Sequence, residues 1–396
     1  MRKPCFVICS IAALLLATVS CNKSNDGVVL IDPDKAVPAV LEDVACDIKV
    51  IPLKSDQPIP ASTFYFFYDD YFFGTNQEYD YTFTKVTVFD SQGNYIGTID
   101  RHGRGHNEYL KLVNFVYHAD SKQLYLYDMG PETHARSTIF KFQLPQLEFL
   151  ETQYPATMVD LTQILHLGDG RSLISGHVDN GVDKLMVLEF QPDTVLLLKE
   201  YGEFGLNRIS PTFYQLHFTN KDNPLIALFG YENSIYSFDD SDSLKHEFSF
   251  TFGLKGLPKS YADNQLAMGP YMQIITPERE EYMKDASEIL FDVPVKNGNL
   301  LSFMYTRNQY QNTQGFRHFY LTNGRKSANY SRLKVPGLDF AAPLIGVNGT
   351  SYVFSLEDVR VDPSAPLSPL GQQILDAVRS QNDDNPILLQ FRFKDL

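Results

Sequence analysis

The densest chemistry in the sequence is one short run, Arg101-His102-Gly103-Arg104-Gly105-His106-Asn107-Glu108-Tyr109. Arginine and histidine donors on a glycine-rich loop can meet a carboxylate or sulfate in an otherwise acidic protein. The same residues also fit a structural role, which is the preferred reading. There the glycines supply positive φ for a tight crossover, while Glu108 and Tyr109 lock neighbouring units together. The loop is not a phosphate cradle, because Gly-Lys-Ser/Thr and a following helix are missing. His102 and His106 are four apart, but on such a loop that spacing fixes no ligand geometry, and no metal is expected.

A second run, Arg307-Asn308-Gln309-Tyr310-Gln311-Asn312, sets amides beside an aromatic ring. Amides suit sugar hydroxyls and a ring suits a sugar face, although the chain has no Trp to stack with. The ligand-binding candidates are therefore Arg101, His102, Arg104, His106, Glu108, Tyr109, Arg307, Asn308 and Tyr310. The polar loops at 76–81, 132–136 and 177–183 are expected on the same face. Asp239-Asp240-Ser241-Asp242 reads as a turn, lacking the later Glu and the Gly of a calcium loop. No Gly-x-Ser-x-Gly elbow, Cys-His pattern or placeable carboxylate pair is present, so no catalytic residue and no cofactor is assigned.

The N-terminus says where such a site would work. Arg2 and Lys3 precede an apolar run from Phe6 to Val19, shorter than the roughly 20 residues that span a bilayer. The run ends in Ala17-Thr18-Val19-Ser20-Cys21, which resembles a bacterial lipobox with Cys21 as the lipidated residue. Residues 1–20 are read as signal peptide, and residues 21–44 as anchor and tether. After cleavage only Cys46 remains as a free thiol, so no disulfide framework is expected. Formal charge is −14 for the whole chain and −16 once Arg2 and Lys3 leave. That balance argues against nucleic acid and against charge-driven adhesion to anionic lipid. Attachment would come from the acyl chains alone.

The elements that must hold the loops are strands. The chain has 29 Phe and 23 Tyr, and short β-branched or aromatic runs recur about every ten residues between Gly, Asn and Asp turns. Residues 64–99 form the clearest antiparallel meander, and four more follow at 114–152, 161–200, 213–250 and 288–333. A sixth is incomplete, with strands at 344–347, 351–355 and 387–394 and no outer strand. The run Ile48-Lys49-Val50-Ile51-Pro52-Leu53 lies unassigned ahead of the first meander. Pairing it with the terminal set, from about residue 47 to 53, removes both free edges and closes a ring. The expected fold is all-β: one six-bladed β-propeller over residues 45–396. Insertions are expected at about 254–287 and 357–386, the latter with a helix capped by Ser368 and started by Pro369.

Val88-Phe89-Asp90 with Gly93 and Ile96, followed by Gly103-Arg104-Gly105 and Glu108-Tyr109, resembles the six-bladed β-propeller lipoproteins of gut-type Bacteroidota. In that family a Phe-Asp-x-x-Gly turn leads into a Gly-x-Gly-Pro-x-Glu-Tyr loop; here His106 stands in place of the proline. The endings Val50-Ile51-Pro52-Leu53 and Asn385-Pro386-Ile387-Leu388-Leu389-Gln390-Phe391 match the family's opening and closing strands. The resemblance spans residues 45–396. It implies the fold and assigns no chemistry.

The reading favoured by these residues is a lipid-anchored envelope module without catalysis. It would bind or scaffold a glycan, a peptide or a partner protein through the propeller funnel. The alternative is a glycan-active lyase or hydrolase with its site assembled there. Only Asp26 follows the anchor cysteine where surface-exported lipoproteins tend to carry an acidic run, so the periplasmic side of the outer membrane is favoured over the cell surface.

Overall fold

A computed structural model of the chain describes residues 28–55, 59, 63–68, 70–77, 82–128, 138–154, 159–168, 170–178, 184–190, 195–201, 215–217, 225–228, 233–238, 241, 243–255, 288–308, 317–381 and 385–396. The signal peptide, Cys21, Tyr310, the loop 132–136 and most of the first insertion fall outside them.

The chain begins with β1 (Val29–Leu30), β2 (Val37–Val40), the one-turn helix α1 (Leu41–Val44) and β3 (Ala45–Pro52). Four-stranded meanders follow. Blade 1 holds β4 (Thr63–Tyr68), β5 (Tyr71–Gln77), β6 (Phe83–Asp90) and β7 (Tyr95–Ile99). Blade 2 holds β8 (Leu112–His118), β9 (Gln123–Asp128), β10 (Thr138–Gln143) and β11 (Glu148–Gln153). Blade 3 holds β12 (Val159–Gly168), β13 (Arg171–Val178), β14 (Lys184–Phe190) and β15 (Val195–Tyr201). Blade 4 holds β16 (Gln215–His217), β17 (Leu225–Leu228), β18 (Asn233–Phe238) and β19 (Leu244–Thr251). Blade 5 holds β20 (Glu288–Asn297), β21 (Leu300–Asn308), β22 (Arg317–Thr322) and β23 (Ser327–Lys334).

Blade 6 uses both chain ends. β24 (Leu338–Ala341) and β25 (Leu344–Asn348) lie end to end along one edge of β26 (Ser351–Val361), and β27 (Ile387–Phe393) takes its other edge. β3 then adds outside β27, with Leu388 opposite Ile51 and Leu389 opposite Val50. The incomplete meander thus receives its outer strand from the N-terminal side, as its unpaired edge demanded.

Closure is visible in the packing. Six hydrophobic clusters form among the described residues, and each joins two neighbouring blades. Phe73 and Val86 meet Phe115 and Phe140 between blades 1 and 2, and Val116 and Ile139 meet Ile174 and Met186 between blades 2 and 3. Leu173 and Val187 meet Ile226 and Phe238; Ile235 and Phe250 meet Phe303 and Tyr305. Met304 and Phe319 meet Tyr352 and Phe391. Val353 and Leu388 of blade 6 return to Phe67, Phe72 and Phe89 of blade 1. Six interfaces that end where they began make a closed ring. Aromatic rings carry much of it, for instance Phe250 stacked on Phe303 with centroids 4.5 Å apart.

Three features depart from the sequence expectations. The segment read as tether is built into the propeller from residue 28 onward. β1 runs parallel along the outer edge of β19, and β2 does the same on β23. Ile31 and Leu41 are buried in the clusters beneath, and Lys255 holds Asp32 at 2.7 Å. Secondly, β26 continues to Val361 and pairs with β24, so the first residues of the 357–386 insertion belong to the blade. The remainder carries α2 (Pro369–Ser380), where Ser368 Oγ accepts from Gly371 N at 3.1 Å and Leu370 and Ile374 are buried. Thirdly, Gly93 does more than turn a hairpin. Its φ is +79°, and a Cβ there would lie 2.5 Å from Pro52 O, because the end of the closing strand runs against this turn. Lys54 N donates to Gly93 O (2.8 Å) and Tyr95 N to Lys54 O (3.0 Å).

One ionic contact also spans an interface. Glu247 on β19 takes Lys296 of blade 5 at 2.7 Å and the Ser237 hydroxyl at 2.6 Å. Burial pushes this carboxyl up, but the Lys296 and Ser237 hydrogen bonds and the lysine charges outweigh it and hold the group below its usual 4.5. A depressed carboxyl stabilises the fold above its unfolded pKa, and the stabilisation fades as pH falls through the folded one. Glu247→Gln is therefore expected to cost about 1–3 kcal/mol at neutral pH. In paired melting curves the gap should narrow below about pH 4.5 and vanish in stronger acid; a gap independent of pH refutes the assignment.

Candidate functional site

The run 101–109 connects β7, the outer strand of blade 1, to β8, the inner strand of blade 2. Its backbone folds on itself. Tyr109 N donates to Arg101 O (3.1 Å), Gly103 N to Tyr109 O (3.0 Å) and Glu108 N to Gly105 O (3.3 Å). The Glu108 carboxylate accepts from Gly105 N at 2.6 Å. Here the expectation about glycine needs correcting. Positive φ falls on Asn107 (61°), whereas neither Gly103 nor Gly105 takes it. The glycines instead leave room for the Glu108 carboxylate where it lies: a Cβ on Gly103 would come 2.0 Å from its Oε2 and one on Gly105 2.9 Å, so either would push this side chain aside.

Tyr109 is fully buried. Its hydroxyl donates towards Thr84 O (3.0 Å) and Ile99 O (3.3 Å), and accepts from Arg101 N at 3.1 Å. Burial pushes the phenol up to about 12. The ring meets Phe140 of blade 2 edge-on at 5.6 Å. Beyond the loop, Asp128 accepts from Lys111 N (2.9 Å) and Leu110 N (3.4 Å), and Thr152 Oγ1 donates to Asn107 Oδ1 at 3.1 Å. Tyr109 is thus committed to the joint between blades 1 and 2, and Glu108 to the fold of the connector itself.

The basic residues of the connector divide. Arg101 lays its guanidinium 4.4 Å from the centre of the Phe149 ring, on the outer strand β11 of blade 2. It faces the rim and not the axis. His102, Arg104 and His106 are exposed. Among the described residues, no three His, Cys, Asp or Glu side chains come together to hold a metal ion.

Phe83 directly follows the loop between the second and third strands of blade 1, and it pairs with Leu112, the first residue of β8 after the connector. Connectors and second-to-third-strand loops therefore open at the same end of the ring. Asn76, expected in a polar binding loop, is spent on structure. Its Oδ1 accepts from Thr84 N (3.1 Å) and Lys85 N (2.7 Å), and its Nδ2 donates to Thr84 Oγ1 at 2.9 Å. Arg307 and Asn308 end β21, opposite Ile289 and Glu288, and so deliver their loop to that same end. Tyr310 lies outside the described residues.

Sequence reasoning missed a polar ladder across blade 2. His118 stacks on Tyr125 with centroids 4.0 Å apart, and Lys141 Nζ sits 4.7 Å from the Tyr125 ring and 2.8 Å from Glu151. Its only signal was alternation: His118, Tyr125 and Lys141 share a strand face with the buried Val116, Tyr127 and Ile139.

No curated protein matches the sequence. A protein from Bacteroides fragilis described as exported has a solved structure similar to this one. It is 17% identical, with 91% of this chain and 99% of that one covered and a TM-score of 0.57. BamB from Moraxella catarrhalis is 10% identical over 88% of this chain and 100% of its own, with a TM-score of 0.37. The β-propeller domain of the Trilobed protease from Pyrococcus furiosus is 11% identical over 77% and 85%, at 0.36. The likeness to the Bacteroides fragilis protein is one of fold. The family model described as "DUF5128: 6-bladed beta-propeller" matches residues 20–309, most of the sequence. With the ring closed by β3 and the Phe89-Asp90 turn and Glu108-Tyr109 connector in place, the chain belongs to that family of six-bladed β-propellers.

Proposed function

We propose that the protein is an envelope propeller anchored by lipid on Cys21, on the periplasmic side of the outer membrane. In this reading it binds a glycan, a peptide or a partner protein at the end of the ring where the connectors and second-to-third-strand loops open. One observation carries it. The described chain joins the ring on the outer edge of blade 4 at Val29, eight residues after Cys21, so an anchor there grips the propeller by its rim and leaves both openings accessible. A rigid closed ring with free loop ends suits binding with little ordering cost.

The loop after Arg307 and Asn308 is the preferred contact, since the 101–109 connector spends Glu108, Tyr109 and Arg101 internally. The test is a melting-temperature screen of the protein from residue 22 against oligosaccharides, uronic acids and peptides. A ligand at 100 times its Kd should stabilise the fold by about 2.7 kcal/mol. Arg307→Ala or Asn308→Ala should abolish that shift, and Arg101→Ala should keep it. A shift that survives both loop variants would move the site elsewhere.

A further inference from the structure

The N-terminal segment circles the rim with a regular step. β1 starts at Val29 on blade 4, β2 at Val37 on blade 5 and β3 at Ala45 on blade 6, one blade every eight residues. Carried back once more, the same step would end at Cys21, and the same sense of travel would lead to blade 3. The chain can reach that far, since seven residues span up to about 25 Å.

Blade 3, like blades 1 and 2 and unlike blades 4 and 5, carries no such cover among the described residues. The outer edges of β19 and β23 are covered by β1 and β2, whereas among the described residues no strand pairs with the outer edge of β15. That strand exposes three consecutive leucines: Leu196 at 40%, Leu197 at 50% and Leu198 at 44%. Consecutive residues point to opposite faces of a strand, so these leucines wrap the edge itself. The ladder between β14 and β15 shifts register at Leu198, which spoils the edge as a template for a further strand. The mature chain is strongly acidic and cannot adhere to anionic lipid by charge, so an apolar contact is the one available.

We propose that the rim of blade 3, through Leu196, Leu197 and Leu198, rests in the interface of the bilayer that holds the Cys21 acyl chains. The propeller then stands on its edge. This rests on the lipid-anchor reading above.

The test uses the full acylated protein in phosphatidylethanolamine–phosphatidylglycerol vesicles carrying a doxyl-lipid quencher. A polarity-sensitive probe is placed by Leu197→Cys or, on the opposite blade 6, by Val361→Cys, both in a Cys46→Ser background. A depth of about 5–10 Å at the headgroup boundary predicts quenching at position 197 about three-fold stronger than at 361. Equal quenching at both positions, with the protein floating with vesicles and Cys21 acylated by mass, overturns the docking surface and leaves the anchor intact. An unmodified Cys21 and no flotation overturn both, and the mass tells the two failures apart. A probe at 197 that becomes shielded with protein concentration in lipid-free detergent, and is not quenched in vesicles, marks a protein edge and also overturns the proposal.

Discussion

Replacing Tyr109 by alanine is expected to cost about 3–5 kcal/mol, a large part of the stability of an ordinary domain. The ring is fully buried between blades 1 and 2, so truncation leaves a cavity as well as lost apolar contact. Tyr109→Phe separates the hydroxyl from the ring. It keeps the edge-on contact with Phe140 but leaves Thr84 O and Arg101 N short of a partner, at about 1–3 kcal/mol. Alkaline pH supplies an independent check. The phenol is raised from 10.0 to about 12 by burial, so its contribution is complete below pH 10 and is lost as pH climbs towards 12. Denaturant unfolding of the wild type should show that decline, and Tyr109→Phe should lack its share of it. Equal midpoints for wild type and Tyr109→Phe at neutral pH would show that the connector is not a structural lock.

Removing the closing strand should have the larger consequence. A chain beginning at residue 54 lacks β1, β2 and β3, which strips the outer edge from β27 and uncovers Leu388 and Leu389. An apolar edge of that kind invites pairing between molecules. The expected result is loss of a cooperative melt together with aggregation. Leu53→Ala tests the same joint more gently. Leu53 is fully buried against blade 1, and its N–H donates to Pro386 O at 3.0 Å, so the variant should fold but lose about 2–5 kcal/mol. A monomeric, cooperatively melting protein that starts at residue 54 would mean the ring does not depend on its N-terminal strand.

The blades were legible because local physics makes them. Strands such as Tyr95–Ile99 and Lys184–Phe190 sit where alternation and the flanking turn residues place them. The demand for a closing strand followed from an unpaired edge, and Ile48 to Leu53 was the one strand left over to meet it. β1 and β2 were not legible. Two and four residues long, with Pro38 inside the second, they carry no periodic signal of their own. They become strands only because the outer edges of β19 and β23 wait more than two hundred residues away.

The connector shows the same division at the level of single residues. The family resemblance singled out Gly103, Gly105, Glu108 and Tyr109 as a unit, and alternation with turn chemistry determined an all-β chain of repeated meanders that needs its two ends joined. Which residue takes positive φ, and that Arg101 turns to the Phe149 ring on the rim, required the two blades to be in contact. The reason is range. Strand periodicity and turn preference act over a few residues, whereas edge pairing, burial and the direction of a long side chain are decided by neighbours that only the closed ring brings together.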